Sequence, residues 1–204
     1  KVLHISAIPQ AISASARATV LKAAQIAKER DVTVSYDTNL RPSLWTIEEA
    51  REAMSDVLPY VDIVFPSHPE DTGPLIGASS EAEVVQFFRS RGVDTVAVKR
   101  GESGAWVATQ KETASVSALA PQGVLDTTGA GDAFVGGFLH CIVQGLDAFE
   151  AARWGTASAG LKVAGRGAVA SQPSREQVES HVGQVQVRRH PRQTSQAGGP
   201  ASSL

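Results

Sequence analysis

Four short runs of β-branched and apolar residues, Val2–Ser6, Val32–Tyr36, Asp62–Phe65 and Thr95–Val98, recur through the first half of the chain with helical patterns between them. Ala16, Val20, Ala23, Ala24 and Ala27 share one face of a helix over about residues 13–30. Thr46-Ile-Glu-Glu49 has the spacing of a capping box and opens a helix to about Leu58. Ser80-Glu-Ala-Glu83 does the same for a helix to about Arg91, which Gly92 stops. Strands and helices alternating at this spacing predict βαβ units. The expected fold class is therefore α/β, with a mostly parallel sheet flanked by helices on both faces. Ala105–Thr109 and Thr113–Ala118 read as a hairpin, Ala133–Val143 and Phe149–Val163 as helices, and Ser174-Arg-Glu-Gln177 as the cap of a short last helix.

Composition narrows the classes of function. The chain has 204 residues, 42% hydrophobic and 20% charged, which suits one globular domain. A formal net charge of −2 offers no electrostatic pull toward nucleic acid or an anionic membrane. The lone cysteine, Cys141, lies in an apolar run and is expected in the core, so neither a disulfide framework nor a Cys/His metal cluster is expected. With no signal peptide and no apolar stretch long enough for a bilayer, the expected location is the cytoplasm. The chain opens at Lys1 directly on an apolar strand, which reads as a segment cut from a longer protein. Periodicity and apolar content fade near the end, so a core over residues 1–183 and a disordered tail over 184–204 are expected.

The stretch with most chemistry is Asp126-Thr-Thr-Gly-Ala-Gly-Asp132-Ala-Phe134, between the hairpin and a long apolar helix. Gly129, Ala130 and Gly131 let another molecule approach the backbone. A helix opening there points unbonded N–H groups and the positive end of its dipole outward, an anion site. Asp132 stands at its mouth. It could complement the dipole as a cap, or take a proton from a hydroxyl attacking a bound phosphate. Three further polar groups follow predicted strands, where open α/β sheets bind ligands. Asp37-Thr-Asn-Leu-Arg41 follows the second, and Arg41 is a donor fork suited to a carboxylate or phosphate, or a solvated loop residue. Phe65-Pro-Ser67-His-Pro-Glu70 follows the third; Lys99-Arg-Gly101-Glu-Ser-Gly104 follows the fourth. No Walker P-loop pattern occurs.

Asp126-Thr-Thr-Gly-Ala-Gly-Asp-Ala-Phe-Val-Gly-Gly-Phe138 resembles the C-terminal signature of the ribokinase-like (PfkB) sugar kinases. The Asp37-to-Trp45 run and His4-Ile-Ser-Ala-Ile8, with Ala7 where Gly is usual, are similar to the branch holding 2-keto-3-deoxygluconate kinases and fructokinases. The resemblance covers about residues 1–178 and implies the larger, C-terminal part of a ribokinase-like core. By the same resemblance, an upstream region with the lid and much of the sugar pocket is expected before Lys1 in the longer protein. The resemblance implies Asp132 as catalytic base and Gly129, Ala130 and Gly131 as the anion hole. Arg41 would meet the substrate carboxylate. Ser67, Lys99, Gly101, Gly104, Gly131 and Thr156 would contact the nucleotide, with Thr156 standing where many relatives have Asn. Glu70 would hold Mg2+ through water, and Asp126 and Thr128, with the turn from Lys162 to Gly167, a monovalent cation such as K+. The implied activity is ATP-dependent phosphorylation of a sugar acid, 2-keto-3-deoxygluconate. Alternatives are a fructokinase or other PfkB-type kinase, or a fragment that binds nucleotide without turnover. A homo-oligomer is possible in the longer protein.

Overall fold

The computed structural model describes residues 1–120 and 123–191. Val2–Ser6 (β1), Thr33–Asp37 (β2), Ile63–Phe65 (β3) and Thr95–Lys99 (β4) pair in sequence order as a parallel ladder. Ala105–Ala108 (β5), Glu112–Val116 (β6) and Val187–Pro191 (β7) extend the same sheet antiparallel. The sheet is thus mixed, parallel only through β4. The reason is the connection: β4 reaches β5 through a short turn at residues 100–104, too short for the crossover that a parallel pair requires.

Ile8–Ile12 (α1), Ala14–Glu29 (α2), Ile47–Val57 (α3), Thr72–Ile76 (α4) and Glu81–Arg89 (α5) lie between the parallel strands. Right-handed crossovers between sequentially ordered strands place their helices on one face. There Val34, Tyr36, Val64, Val96 and Val98 join Ala24, Ala27, Met54, Val57 and Phe88 in one core. The alternate positions Ile63, Phe65 and Ala97, with Ala105, Val107, Ala114 and Val116, face Ala130–Val143 (α6), Ala148–Lys162 (α7) and Arg175–His181 (α8) in a second. The central strands are apolar on both faces because both faces are covered.

The caps fix where the helices start. Thr46 and Glu49 form a complete capping box at α3, as do Ser174 and Gln177 at α8. Ser80 accepts from the Glu83 amide, but the Glu83 carboxylate reaches Ser79 instead, so the second box is half made. α1 and α4 were not expected from the sequence; at five residues each they are too short to show a period.

β7 corrects the expected tail from residue 184. Its sequence, Val-Arg-Arg-His-Pro, has no apolar alternation. It is held instead by polar pairs: Arg189 bridges Glu112 and Asp147 and covers the Phe149 ring, and His190 stacks on Trp106. The rest of the expected tail, 192–204, lies outside the described residues. Among the described residues no helix is long and apolar enough to cross a membrane.

α6 and α7 meet where small residues let their backbones approach. A Cβ on Gly155 would lie 2.6 Å from the Phe134 carbonyl oxygen, and one on Gly137 would lie 2.9 Å from that of Trp154. Gly155→Val is expected to cost about 1–3 kcal/mol through overpacking, read as a lower urea midpoint at unchanged slope.

Candidate active site

The carboxyl ends of β2 and β4 carry Asp37 and Lys99, the last residues of their strands. Lys99 Nζ donates to both Asp37 oxygens, at 2.8 and 2.7 Å. The pair is nearly dry: the side chains are 12% and 3% exposed. Asp37 also accepts the Asn39 amide in an Asx turn, and Asn39 reaches Ser6 at the end of β1. One strand away, the Asp71 carboxylate accepts from Thr38 Oγ1 at 2.6 Å and from the amides of Leu40 and Ser67. Buried Asp71 thus joins the loops after β2 and β3. Neither role was anticipated from the sequence. Asp71 follows Glu70, the residue that the family resemblance marked, and a single acid in a turn carries no distinctive signal.

α6 starts beside this pair. Its N-cap, Gly129, has φ +82°, and a Cβ there would lie 3.1 Å from the Ala168 carbonyl oxygen, so glycine is required twice over. The Ala130 amide donates to the Thr127 carbonyl and that of Ala133 to Gly129. Among the described residues, the amides of Gly131 and Asp132 have no chain acceptor. The amides left open at the helix start are therefore those of Gly131 and Asp132, while that of Ala130, expected among the anion donors, is already bonded. A Cβ on Gly131 would stand 3.5 Å from Lys99 Nζ, which sets the ammonium against the helix start.

Asp132 is exposed. The His4 ring is hydrogen-bonded to Ser35 and lies within electrostatic range of Asp37, Lys99 and Asp132. Partial desolvation holds the imidazole below its ordinary pKa, Lys99 adds to the lowering, and Asp37 and Asp132 oppose it.

A cavity of about 580 Å³ adjoins the helix start. Lys99, Gly101, Gly104, Thr127, Ala130, Gly131 and Thr156 line it, with Leu119, Val124, Phe134 and Val163 as apolar wall. Gly104 sits at φ +80°, and a Cβ there would fall 2.1 Å from the Val116 carbonyl oxygen. The Thr156 hydroxyl bonds back to Ala152 within its own helix. Asp132 lines a smaller neighbouring pocket, about 200 Å³, with His140, Trp154, Ser158 and Arg175. Arg41, Ser67 and Glu70 line neither. Arg41 is exposed and donates to the Leu40 carbonyl; Glu70 is exposed on the turn after β3. Ser67 is bridged to Lys99 at the end of β4.

Asp126 braces the loop from behind. Its carboxylate accepts from the amides of Thr128 and Gly167, at 2.9 and 2.8 Å, and these bonds push its pKa well below the usual carboxylate range. Its carbonyl accepts from the fully buried Lys162 at 2.7 Å.

The cavity, the paired ammonium and the open helix N-terminus lie together at the carboxyl end of an α/β sheet, the place where such sheets bind ligands. The comparisons make this specific. A model of the pfkB family carbohydrate kinases matches residues 1–175, and the chain belongs to that family. It is 36% identical to the 2-dehydro-3-deoxygluconokinase of Thermoproteus tenax over 178 residues, 87% of the chain and 53% of the relative. It is 31% identical to the ATP-dependent 6-phosphofructokinase of Thermoanaerobacterium thermosaccharolyticum, covering 88% and 55%. Among solved structures, the fructokinase from Vibrio cholerae O395, bound to fructose, ADP and calcium ion, superposes with a TM-score of 0.81 at 29% identity over 89% of the chain and 60% of that structure. The chain spans about half the length of the curated relatives it matches.

Lys99→Met leaves Asp37 buried and unpaired and is expected to cost about 3–5 kcal/mol. Adding Asp37→Asn should return part of that loss, because the buried charge is gone. Urea unfolding of the two single variants and the double variant measures the coupling; simple additivity would show that the pair does not act as one unit.

Proposed function

We propose that this chain is the nucleotide-binding part of an ATP-dependent sugar kinase that phosphorylates a hydroxyl of 2-keto-3-deoxygluconate. The supporting observation is the Lys99 ammonium set against the start of the helix whose first turn offers the unbonded amides of Gly131 and Asp132 and carries the Asp132 carboxylate. The adenosine would lie in the apolar cavity past Gly101, Gly104 and Thr156, with its terminal phosphate at the start of α6. Asp132 takes the proton of the acceptor hydroxyl as its oxygen attacks the γ-phosphorus and the bond to ADP breaks. The Gly131 and Asp132 amides and Lys99 hold the charge on the transferring oxygens.

Mg2+ would neutralise part of the phosphate charge, and exposed Glu70 suits contact through water, since that ion keeps most of its own shell. The similar fructokinase carries a divalent ion with its ADP. The residues present do not fit a monovalent cation at Asp126 and Thr128. The Asp126 carboxylate is already met by the Thr128 and Gly167 amides, and the Lys162 ammonium holds the Asp126 carbonyl.

A sugar acid is favoured by Arg41, an exposed fork at the carboxyl end of β2 with no acidic partner among the described residues. A fructokinase or another PfkB-type sugar kinase is the second reading, favoured by the likeness to kinases of fructose and its phosphate. The part of the relatives that the chain does not span favours a third: nucleotide binding without turnover by these residues alone. The same proposal places the longer protein in the cytoplasm, where buried Cys141, its thiol pushed up to about 12, is unreactive. Self-association is proposed only for that longer protein.

In the longer protein, Asp132→Asn should lower kcat by about 10²–10⁴ with little change in the KM for ATP. Turnover close to the parent's would contradict the base assignment. Arg41→Ala in the same assay should raise the KM for 2-keto-3-deoxygluconate and leave that for fructose unchanged; equal effects on both would favour the second reading.

A further inference from the structure

Lys162 ends α7 with its side chain fully buried, far from the Lys99–Asp37 pair in sequence and bonded to neither. Its Nζ lies 2.7 Å from the Asp126 carbonyl oxygen and 3.4 Å from that of Gly165. No carboxylate oxygen lies within ion-pair distance of this ammonium among the described residues, so carbonyl dipoles replace its water. Carbonyl oxygens facing a buried positive charge are also how a bare alkali ion is held. The Asp126 carboxylate, on the same residue, adds long-range attraction; the Thr128 and Gly167 amides chiefly keep it ionised, and the ammonium adds to this.

We infer that Lys162 is a covalently attached substitute for a monovalent cation: it fixes the loop carrying Gly129–Gly131 and makes this chain independent of K+. The connection to that loop is direct. The ammonium grips the Asp126 carbonyl, and the Asp126 carboxylate grips the Thr128 amide at the head of the turn and the Gly167 amide behind it. Ala168, next to Gly167, stands against Gly129. The end of α7 is thereby tied to the start of α6, and Lys162 is the only charged donor described in that tie. An alkali ion on the same oxygens would sit within a few ångströms of the ammonium, where like charges repel. Lys162 is a positioning residue; it does not line the cavity.

Thermal unfolding of the purified chain tests this without nucleotide. The wild type should unfold at the same temperature in KCl, LiCl and tetramethylammonium chloride at equal ionic strength. Lys162→Ala should unfold at a lower temperature and recover part of the loss in KCl but not in tetramethylammonium chloride, since the vacated carbonyls can then take an ion. A saturable, K+-selective rise in the wild type would overturn the inference, as would a Lys162→Ala protein as stable as the parent and indifferent to K+. If Lys162→Ala does not fold, Lys162→Met keeps the packing, and the wild-type comparison still decides.

Calorimetric titration with MgATP gives a second readout that rests on the proposed nucleotide site. Wild-type affinity should agree within about twofold between KCl and tetramethylammonium chloride, and Lys162→Ala should bind about tenfold more weakly in tetramethylammonium chloride. Absence of ATP binding by the wild type would count against the nucleotide reading and leave the unfolding result to decide the role of Lys162.

Discussion

The Lys99–Asp37 ion pair is the constraint on which the site depends. Its partners sit on β2 and β4, with β3 between them, a gap of about 10 Å at ordinary strand spacing. Only a long, flexible side chain spans that distance, and only a fixed carboxylate holds its end in place. Without Asp37 the ammonium would be free to swing into solvent. With it, the charge is pinned beside Gly131, where a phosphate at the start of α6 would meet it. Such pairs contribute little net stability, because removing two charges from water costs about as much as their attraction returns. The gain here is position.

The second requirement is that α6 begin in a defined place. Two contacts provide this from opposite directions. Along its length, Gly137 and Gly155 allow α6 to lie against α7, with Phe134 and Phe138 packed edge-on to Phe65 beneath. At its head, Asp126 ties the preceding loop to the turn after α7. An N-terminus held at both ends can offer its amides without reorganising, which is where electrostatic catalysis gains most. The buried Asp71 carboxylate does comparable work for the loops after β2 and β3, and so fixes the platform from which Arg41 projects.

The order of strands and helices was legible in the sequence because the parallel strands are covered on both faces and read as plain apolar runs, while α2, α3 and α5 carry a helical period or a cap. The small residues marked the opening of α6, but the apolar run placed its first residue at Ala133, and the structure starts it at Ala130. β7 was not legible, because Arg189 and His190 hold that edge through charge and ring stacking rather than alternation. The pairing of Lys99 with Asp37 was also hidden: the two lie 62 residues apart, and each has an ordinary local explanation, a loop charge and an Asx turn. The bond of Lys162 was hidden for a related reason. In sequence it marks the edge of an expected cation site; in the fold its ammonium bonds the Asp126 carbonyl.

The central claim is that the start of α6, with Lys99, receives a nucleotide's terminal phosphate. The most direct measurement is the change in backbone amide resonances of the isotopically labelled chain on adding MgATP and, separately, adenosine. MgATP should shift the amides of Gly131 and Asp132 together with those of Gly101 and Gly104, and adenosine should move only those along the cavity wall. Shifts that leave Gly131 and Asp132 unmoved while MgATP binds elsewhere would contradict the account.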